Sequence, residues 1–131
     1  MYVVIAGCSS SASIIGRELS INNLDVVIID KNKEAFKKLS IDFTGKTVIG
    51  DVLEQEVLHE AGIENADIFL ALTGDDNINI VSSQIVKKMF NVPKIVVVLN
   101  NFQKSKLCQE EGINIVFKSN ILADFVKKIC L

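Results

Sequence analysis

The residues whose types and spacing suit chemistry sit in two places near the start of the chain. Gly7 interrupts the apolar run Tyr2-Val3-Val4-Ile5-Ala6 and is followed by Cys8, Ser9, Ser10, Ser11, Ala12 and Ser13. Asp30 ends a second apolar run, Val26-Val27-Ile28-Ile29, 23 residues after Gly7. A strand that stops at glycine and passes through small residues into a helix aims backbone N–H groups and the positive helix end at one spot, which suits a phosphate. A carboxylate about 20 residues further on suits the hydroxyls of an adenosine ribose. The fingerprint G-x-G-x-x-G would put glycines at 7, 9 and 12, where this chain holds Gly7, Ser9 and Ala12. With one glycine of three, the loop reads either as a dinucleotide-binding turn or as an ordinary tight strand-to-helix connection.

Further polar residues punctuate the chain at comparable places: Gly50-Asp51, Thr73-Gly74-Asp75-Asp76 and Asn100-Asn101 each follow a short apolar run. Catalytic groups are scarce. His59 is the only histidine and falls inside a short polar helix, as a surface residue would. There is no nucleophile elbow, no H-E-x-x-H and no Walker A lysine, so the chain is expected not to be an enzyme. Cys8, Cys108 and Cys130 form no C-x-x-C pair and are odd in number, which fits reduced thiols better than a disulfide or zinc framework. Cys8 lies beside the expected helix start, where a thiol pKa can fall, but a small residue filling space is the simpler reading.

These groups need a scaffold, and the apolar pattern supplies one. Runs at residues 2–6, 26–30, 47–49, 67–72, 95–99 and 114–117 have strand length and mostly lack the alternation of a half-exposed strand, so they are expected to be buried on both faces. Helical patterns separate them: one after Ser13 (Ile14, Ile15, Leu19), one running from Lys31 to near Phe43, then 54–61 closed by Gly62, 77–90, about 103–111, and 120–129. Alternating strand and helix implies an α/β fold, a doubly wound parallel six-stranded sheet with helices on both faces and right-handed crossovers. In such sheets ligands bind beyond the carboxyl ends of the strands, where strand order reverses, and the polar clusters gather there.

The 131 residues make one domain, spanning 1–131, too short for a cofactor domain plus a substrate domain. Hydrophobic residues are 49% and charged residues 23%, ordinary for a globular protein, and the net charge of −2 offers no basic field for nucleic acid or an anionic membrane. The apolar runs are far shorter than the ~20 residues of a membrane span, and no basic leader precedes the first strand. A cytoplasmic location without membrane insertion is expected.

Longer stretches resemble one family. I-I-D-K at 28–31, I-G-D at 49–51, the segment Val57-Leu58-His59-Glu60-Ala61-Gly62-Ile63-Glu64-Asn65-Ala66-Asp67, L-T-G-D-D-N-I-N at 72–79, V-P-K-I at 92–95 and the pair Asn100-Asn101 are similar to the N-terminal nucleotide-binding (TrkA-N, KTN or RCK-N) domain of potassium channel and transporter regulators. The resemblance covers the whole chain and implies a Rossmann fold that binds NAD(H) or an adenine nucleotide (AMP, ADP or ATP), dimerises, and passes ligand state to a membrane-embedded potassium transporter or channel subunit. By position it implies that Gly7, Cys8 and the backbone of Ser9, Ser10 and Ser11 hold phosphates. Asp30 takes the ribose hydroxyls with Lys31 beside it, Asp51 and Val52 line the adenine pocket, and Thr73 and Gly74 border the ribose and phosphate side. Asp75, Asp76 and Asn79 match as well, although the two acids suit caps of the following helix. The expected site is therefore cofactor-binding, with no catalytic residue and no metal. Asp30 also argues against NADP, whose 2′-phosphate it would repel.

Three departures from the family pattern stand out. Ser9 and Ala12 replace glycines, Val98 stands where family members often carry an arginine, and the C-terminal ligand subdomain of full-length regulators is absent. The chain is thus a single-domain member, a piece of a longer chain, or one part of a two-gene system. A positive φ at Ser9 would cost about 1–3 kcal/mol, whereas three serine hydroxyls offer hydrogen bonds to phosphate. Ala12 and Gly16 would let the first helix pack closely on the sheet. The last helix carries Ile121, Leu122, Phe125, Val126 and Ile129 as a broad apolar face, either an oligomer surface or the cover of a sheet edge. A dimerisation scaffold without a ligand and, further off, a fragment of an NAD-dependent oxidoreductase are the alternative readings.

Overall fold

The computed structural model describes residues 1–108 and 112–131. Six strands run β1 (Tyr2–Ala6), β2 (Asp25–Asp30), β3 (Lys46–Ile49), β4 (Ile68–Ala71), β5 (Lys94–Leu99) and β6 (Ile113–Phe117), and they form one sheet in the order β3-β2-β1-β4-β5-β6 with every pairing parallel. Strand order reverses between β1 and β4. The expected Rossmann-like doubly wound sheet is thus the observed one, and its switch point lies directly above Gly7.

Four α-helices accompany the strands: α1 (Ser10–Ile21), α2 (Gln55–Glu60), α3 (Asp76–Ile85) and α4 (Lys118–Cys130). The helix expected from Lys31 to near Phe43 is instead a 3-10 turn over Lys33–Lys38, capped by the Asn32 side chain; Leu39 leaves helical geometry at ψ 130° and Ile41 lies fully in solvent. The segment expected as helix over 103–111 is a 3-10 run at Phe102–Cys108, and its last three positions fall outside the described residues. The long helix expected over 77–90 ends its α geometry at Ile85 and continues as a π-helical turn, Val86–Phe90, stopped by Asn91 at φ +53°. Gly62 has φ +80° and closes α2 as the glycine reading required.

The two sheet faces are covered unequally. On one face Val4, Ala6, Val27, Ile29, Phe69, Ile95, Val97 and Leu99 pack under α2, α3 and their connections. On the other, Val3, Ile5, Val26 and Ile28 are covered by α1, whose closest approach is at Ala12 and Gly16. A Cβ at Gly16 would stand 2.8 Å from Ile28 Cδ1, so the small-residue pair does let the helix lie close to β2. Over β4, β5 and β6 this second face stays open: Ile15, Leu19, Ile68, Leu70, Val96, Val98 and Val116 line an apolar groove of about 330 Å³, with Lys94 also in its lining. Helices do lie on both faces as expected, but the expectation that every strand is buried on both of its faces fails on this half.

The reason lies in the joint before the last helix. Phe117 ends β6 and Lys118 starts α4, so there is no loop to turn the helix back onto its own sheet. None of its residues is buried, and Phe125 is 64% exposed. The reading of α4 as the cover of a sheet edge does not describe this chain.

Candidate functional site

The site is built where five loops meet at the carboxyl edge of the sheet. Gly7 leaves β1 at φ +90°, a conformation that L side chains rarely adopt. Its N–H donates to Ile29 O at 2.7 Å, and a Cβ there would stand 2.7 Å from Thr73 Cα, so glycine is required both by angle and by space. This brings the loops after β1 and β4 into contact at the switch point.

Cys8 follows with its side chain buried and its N–H donating to Asp30 Oδ2 at 2.8 Å. Burial and the nearby Asp30 carboxylate raise the thiol pKa against the opposing pull of Lys38, so Cys8 is a neutral filler and not an activated thiol. Lys38 Nζ donates to Cys8 O at 3.2 Å. Ser9 has φ −72° and ψ 173°, ordinary extended backbone, so the strain anticipated at this glycine position is absent. Its hydroxyl accepts from Ala12 N at 3.2 Å as the cap of α1 and donates to Leu72 O at 2.9 Å, which ties the loop to the end of β4. That hydroxyl is committed to the fold. The side chains of Ser10, exposed, and Ser11, half-buried, have no partner among the described residues, and neither do their backbone N–H groups at the head of α1.

Asp30 is held by its own loop: Oδ1 accepts from Asn32 N at 2.8 Å while Oδ2 takes Cys8 N. Asp51 likewise accepts from Leu53 N at 2.9 Å. Both carboxylates keep unfilled lone pairs, since an ionised carboxylate has about four acceptor sites. On the far side Thr73 is clamped by Asn79, a residue 1% exposed on α3. Asn79 Oδ1 accepts from the N–H (3.0 Å) and hydroxyl of Thr73, and Nδ2 donates to Thr73 O at 3.1 Å and Val98 O at 2.8 Å. Asp75 caps α3, accepting from Asn77 N and Ile78 N. The capping role expected for Asp76 belongs to Asp75 alone; Asp76 is buried and accepts instead from the N–H groups of Asn100 and Asn101, both at 2.9 Å, binding the loop after β5 to the head of α3.

These loops enclose a cavity of about 260 Å³ lined by Gly7, Ile29, Asp30, Lys31, Gly50, Asp51, Val52, Thr73, Gly74, Asp75 and Ile78. Seven of the site residues expected from sequence therefore share one space: Gly7, Asp30, Lys31, Asp51, Val52, Thr73 and Gly74. Ser9 and Ser11 lie instead in a smaller cleft of about 40 Å³ that shares Thr73 and Gly74 with the first and adds Val98, Asn100 and Lys118. Cys8 and Ser10 line neither space. Ile29 and Ile78 were not expected in the site, and Gly50 was expected at this sheet edge only as the neighbour of Asp51; Ile78 follows Asp75 by three residues, and that spacing on a capped helix was the available signal. Chemically, the larger cavity offers apolar walls (Ile29, Val52, Ile78) for a flat ring and three carboxylates (Asp30, Asp51 and the α3 cap Asp75) for hydroxyl or amino donors, while the head of α1 borders the smaller cleft through Ser9 and Ser11. No cluster of three or more histidine, cysteine or carboxylate side chains that could hold a metal occurs among the described residues.

The chain matches the TrkA-N domain over residues 3–119. It is 32% identical over 124 residues to the Trk system potassium uptake protein TrkA of Streptomyces coelicolor, covering 95% of this chain and 56% of that protein. It is 39% identical over 99 residues to a TrkA homolog of Pyrococcus abyssi, covering 76% and 43%. The chain thus spans about half the length of these curated relatives. Among solved structures, the TrkA-N domain of the inner membrane protein ybaL from Escherichia coli superposes with a TM-score of 0.86 at 14% identity, covering 98% of this chain and 95% of that one. A Kef C-terminal domain from Shewanella denitrificans, in AMP-bound form, gives 0.75 at 19% identity, covering 99% and 80%. At such identities these two likenesses establish the fold.

Proposed function

The chain belongs to the TrkA-N domain family, and from that premise we propose that it is a regulatory domain of a potassium uptake system or channel that senses NAD(H) or an adenine nucleotide. The observation that carries the reading is the shared cavity over Gly7, Asp30, Asp51, Val52, Thr73 and Gly74, which combines apolar walls with the partly free carboxylates of Asp30 and Asp51 and adjoins a cleft lined by Ser9 and Ser11 at the start of α1. In this reading adenine lies against Val52 and Ile78, the ribose hydroxyls donate to Asp30, and the first phosphate meets the free N–H groups of Ser10 and Ser11. Asp30 disfavours NADP because a 2′-phosphate there would face a carboxylate.

The sensor works through a homodimer. Its surfaces are the exposed apolar face of α4 and the open groove on the sheet, which one chain cannot bring together because Phe117 and Lys118 are adjacent. In this reading the dimer serves a membrane-embedded transporter or channel subunit from the cytoplasmic side; the potassium uptake named in the TrkA relatives supports the link to transport. Among the described residues no helix is long and apolar enough to cross a membrane. A bound ligand alters regulation by differing in affinity between two dimer states, with no chemical step on the ligand.

Titration calorimetry with AMP, ADP, ATP, NAD+ and NADH tests the site. Heat from at least one, lost in Asp30→Ala, is expected; silence with all five leaves a dimerisation scaffold, the second reading, which the fully exposed α4 favours independently of any ligand.

A further inference from the structure

Lys118 is placed where helix energetics would not put it. It is the first residue of α4, a helix with no side-chain cap and no acid in its first turn, so the ammonium sits at the positive end of the dipole. It is exposed and has neither an ion pair nor a hydrogen bond among the described residues. A local rule broken without a compensating contact is the usual mark of a functional position.

The surroundings indicate its use. Lys118 lines the small cleft with Ser11, Thr73, Gly74 and Asn100, and the cleft adjoins the larger cavity across Thr73 and Gly74. Val116 pairs in register with Val98, which lines the cleft, and Lys118 follows two residues on, just past the end of β6. A Cβ at Gly74 would meet nothing within 4 Å, so this shared residue puts no side chain between the two spaces. The cavity of about 260 Å³ opens to solvent, and the cleft that shares Thr73 and Gly74 with it is one direction in which the phosphates of a longer ligand can extend.

We propose that Lys118 is the specificity-determining cation that recognises the second phosphate of a nucleotide diphosphate or dinucleotide, and so separates these ligands from a nucleoside monophosphate. The inference rests on the nucleotide reading of the site. An ammonium beside a phosphate adds a charge-assisted hydrogen bond available only to ligands long enough to reach it. Because Lys118 also begins α4, the phosphate that engages it touches the helix assigned to the dimer.

The test compares ADP and AMP by calorimetry on the wild type, Lys118→Ala and Lys118→Arg, at low and high salt. Lys118→Ala should weaken ADP about tenfold while leaving AMP within about twofold, and Lys118→Arg should keep most of the ADP affinity. The ADP advantage of the wild type should shrink at high salt. The melting temperature of Lys118→Ala should equal or slightly exceed that of the wild type, because a cation has left a helix start. Equal loss of both ligands in Lys118→Ala, or loss of neither, overturns the role of Lys118 while the nucleotide reading stands. Failure of the wild type to bind any of AMP, ADP, ATP, NAD+ and NADH overturns that reading, and this inference with it.

Discussion

Replacing Asn79 by alanine should disable the Thr73 loop more than any substitution at the cavity surface. Asn79 is buried, and its amide spans two strand ends: it accepts from two donors of Thr73 and donates to the carbonyls of Thr73 and Val98. In Asn79→Ala the Thr73 N–H and both carbonyls lose their partner. A typical hydrogen bond contributes about 1 kcal/mol net, and a buried group left unpaired costs roughly 1–3 kcal/mol. Some relaxation toward solvent is open to Thr73, so we expect a total of about 3 kcal/mol. That is a large share of the ~5–15 kcal/mol typical of a domain, yet it leaves the protein folded. With urea slopes of about 1–3 kcal/mol per molar, the midpoint should fall by roughly 1–3 M. Asp75→Ala, four residues earlier, removes only an exposed helix cap and should cost about 1 kcal/mol, which makes it the control. Asn79→Asp should cost at least as much as Asn79→Ala, since a carboxylate would face two carbonyl oxygens without a proton to donate. If Asn79→Ala lies within about 1 kcal/mol of the wild type, or no lower than Asp75→Ala, the account of Asn79 as the clamp of the switch-point loops is wrong.

Gly7→Ala combines a positive φ with a Cβ 2.7 Å from the Thr73 backbone; it should lose about 2–4 kcal/mol of stability in urea and abolish nucleotide heat, and a variant that binds normally would remove Gly7 from the phosphate site. Phe125→Asp puts a charge on the exposed face of α4, so sedimentation should show a folded monomer where the wild type is dimeric; an unchanged dimer would move the interface elsewhere. Under native conditions iodoacetamide should modify Cys130, which is exposed, long before buried Cys8 and Cys108, with mass spectrometry reading the order. The folded-state pKa of Cys8 lies above its ordinary value, so its thiol adds stability that is fully present below the unfolded pKa and is lost as pH rises from there through the folded pKa. The wild type should accordingly lose more urea resistance between about pH 8 and about pH 10 than Cys8→Ala, and parallel losses would contradict the shift.

What the sequence determined by itself follows from short-range physics. Short apolar runs ended by Gly7, Asp30, Gly50 or Thr73-Gly74 read as strands with polar exits, and their alternation with helices leaves a parallel sheet as the solution. That reasoning located β1 to β6 and the polar exits Gly7, Asp30, Asp51, Thr73 and Gly74 around the main cavity, whereas Lys31 and Val52 were implied by the family resemblance. It failed where the outcome depends on partners distant in sequence. Ser9 carries a hydroxyl that suits phosphate equally well in any list of residues; only the approach of Leu72 O commits it to the fold. Asp75 and Asp76 are adjacent and chemically identical, and the loop after β5 decides that one caps α3 while the other ties down Asn100 and Asn101. Asn79 became a clamp because β4 and β5 end side by side, and Lys118 entered the site because β6 pairs in register with β5. The apolar stripe of α4 was legible from its helical spacing. That it has no sheet of its own to cover follows from a joint of zero residues between β6 and α4, whose consequence for packing exists only in three dimensions.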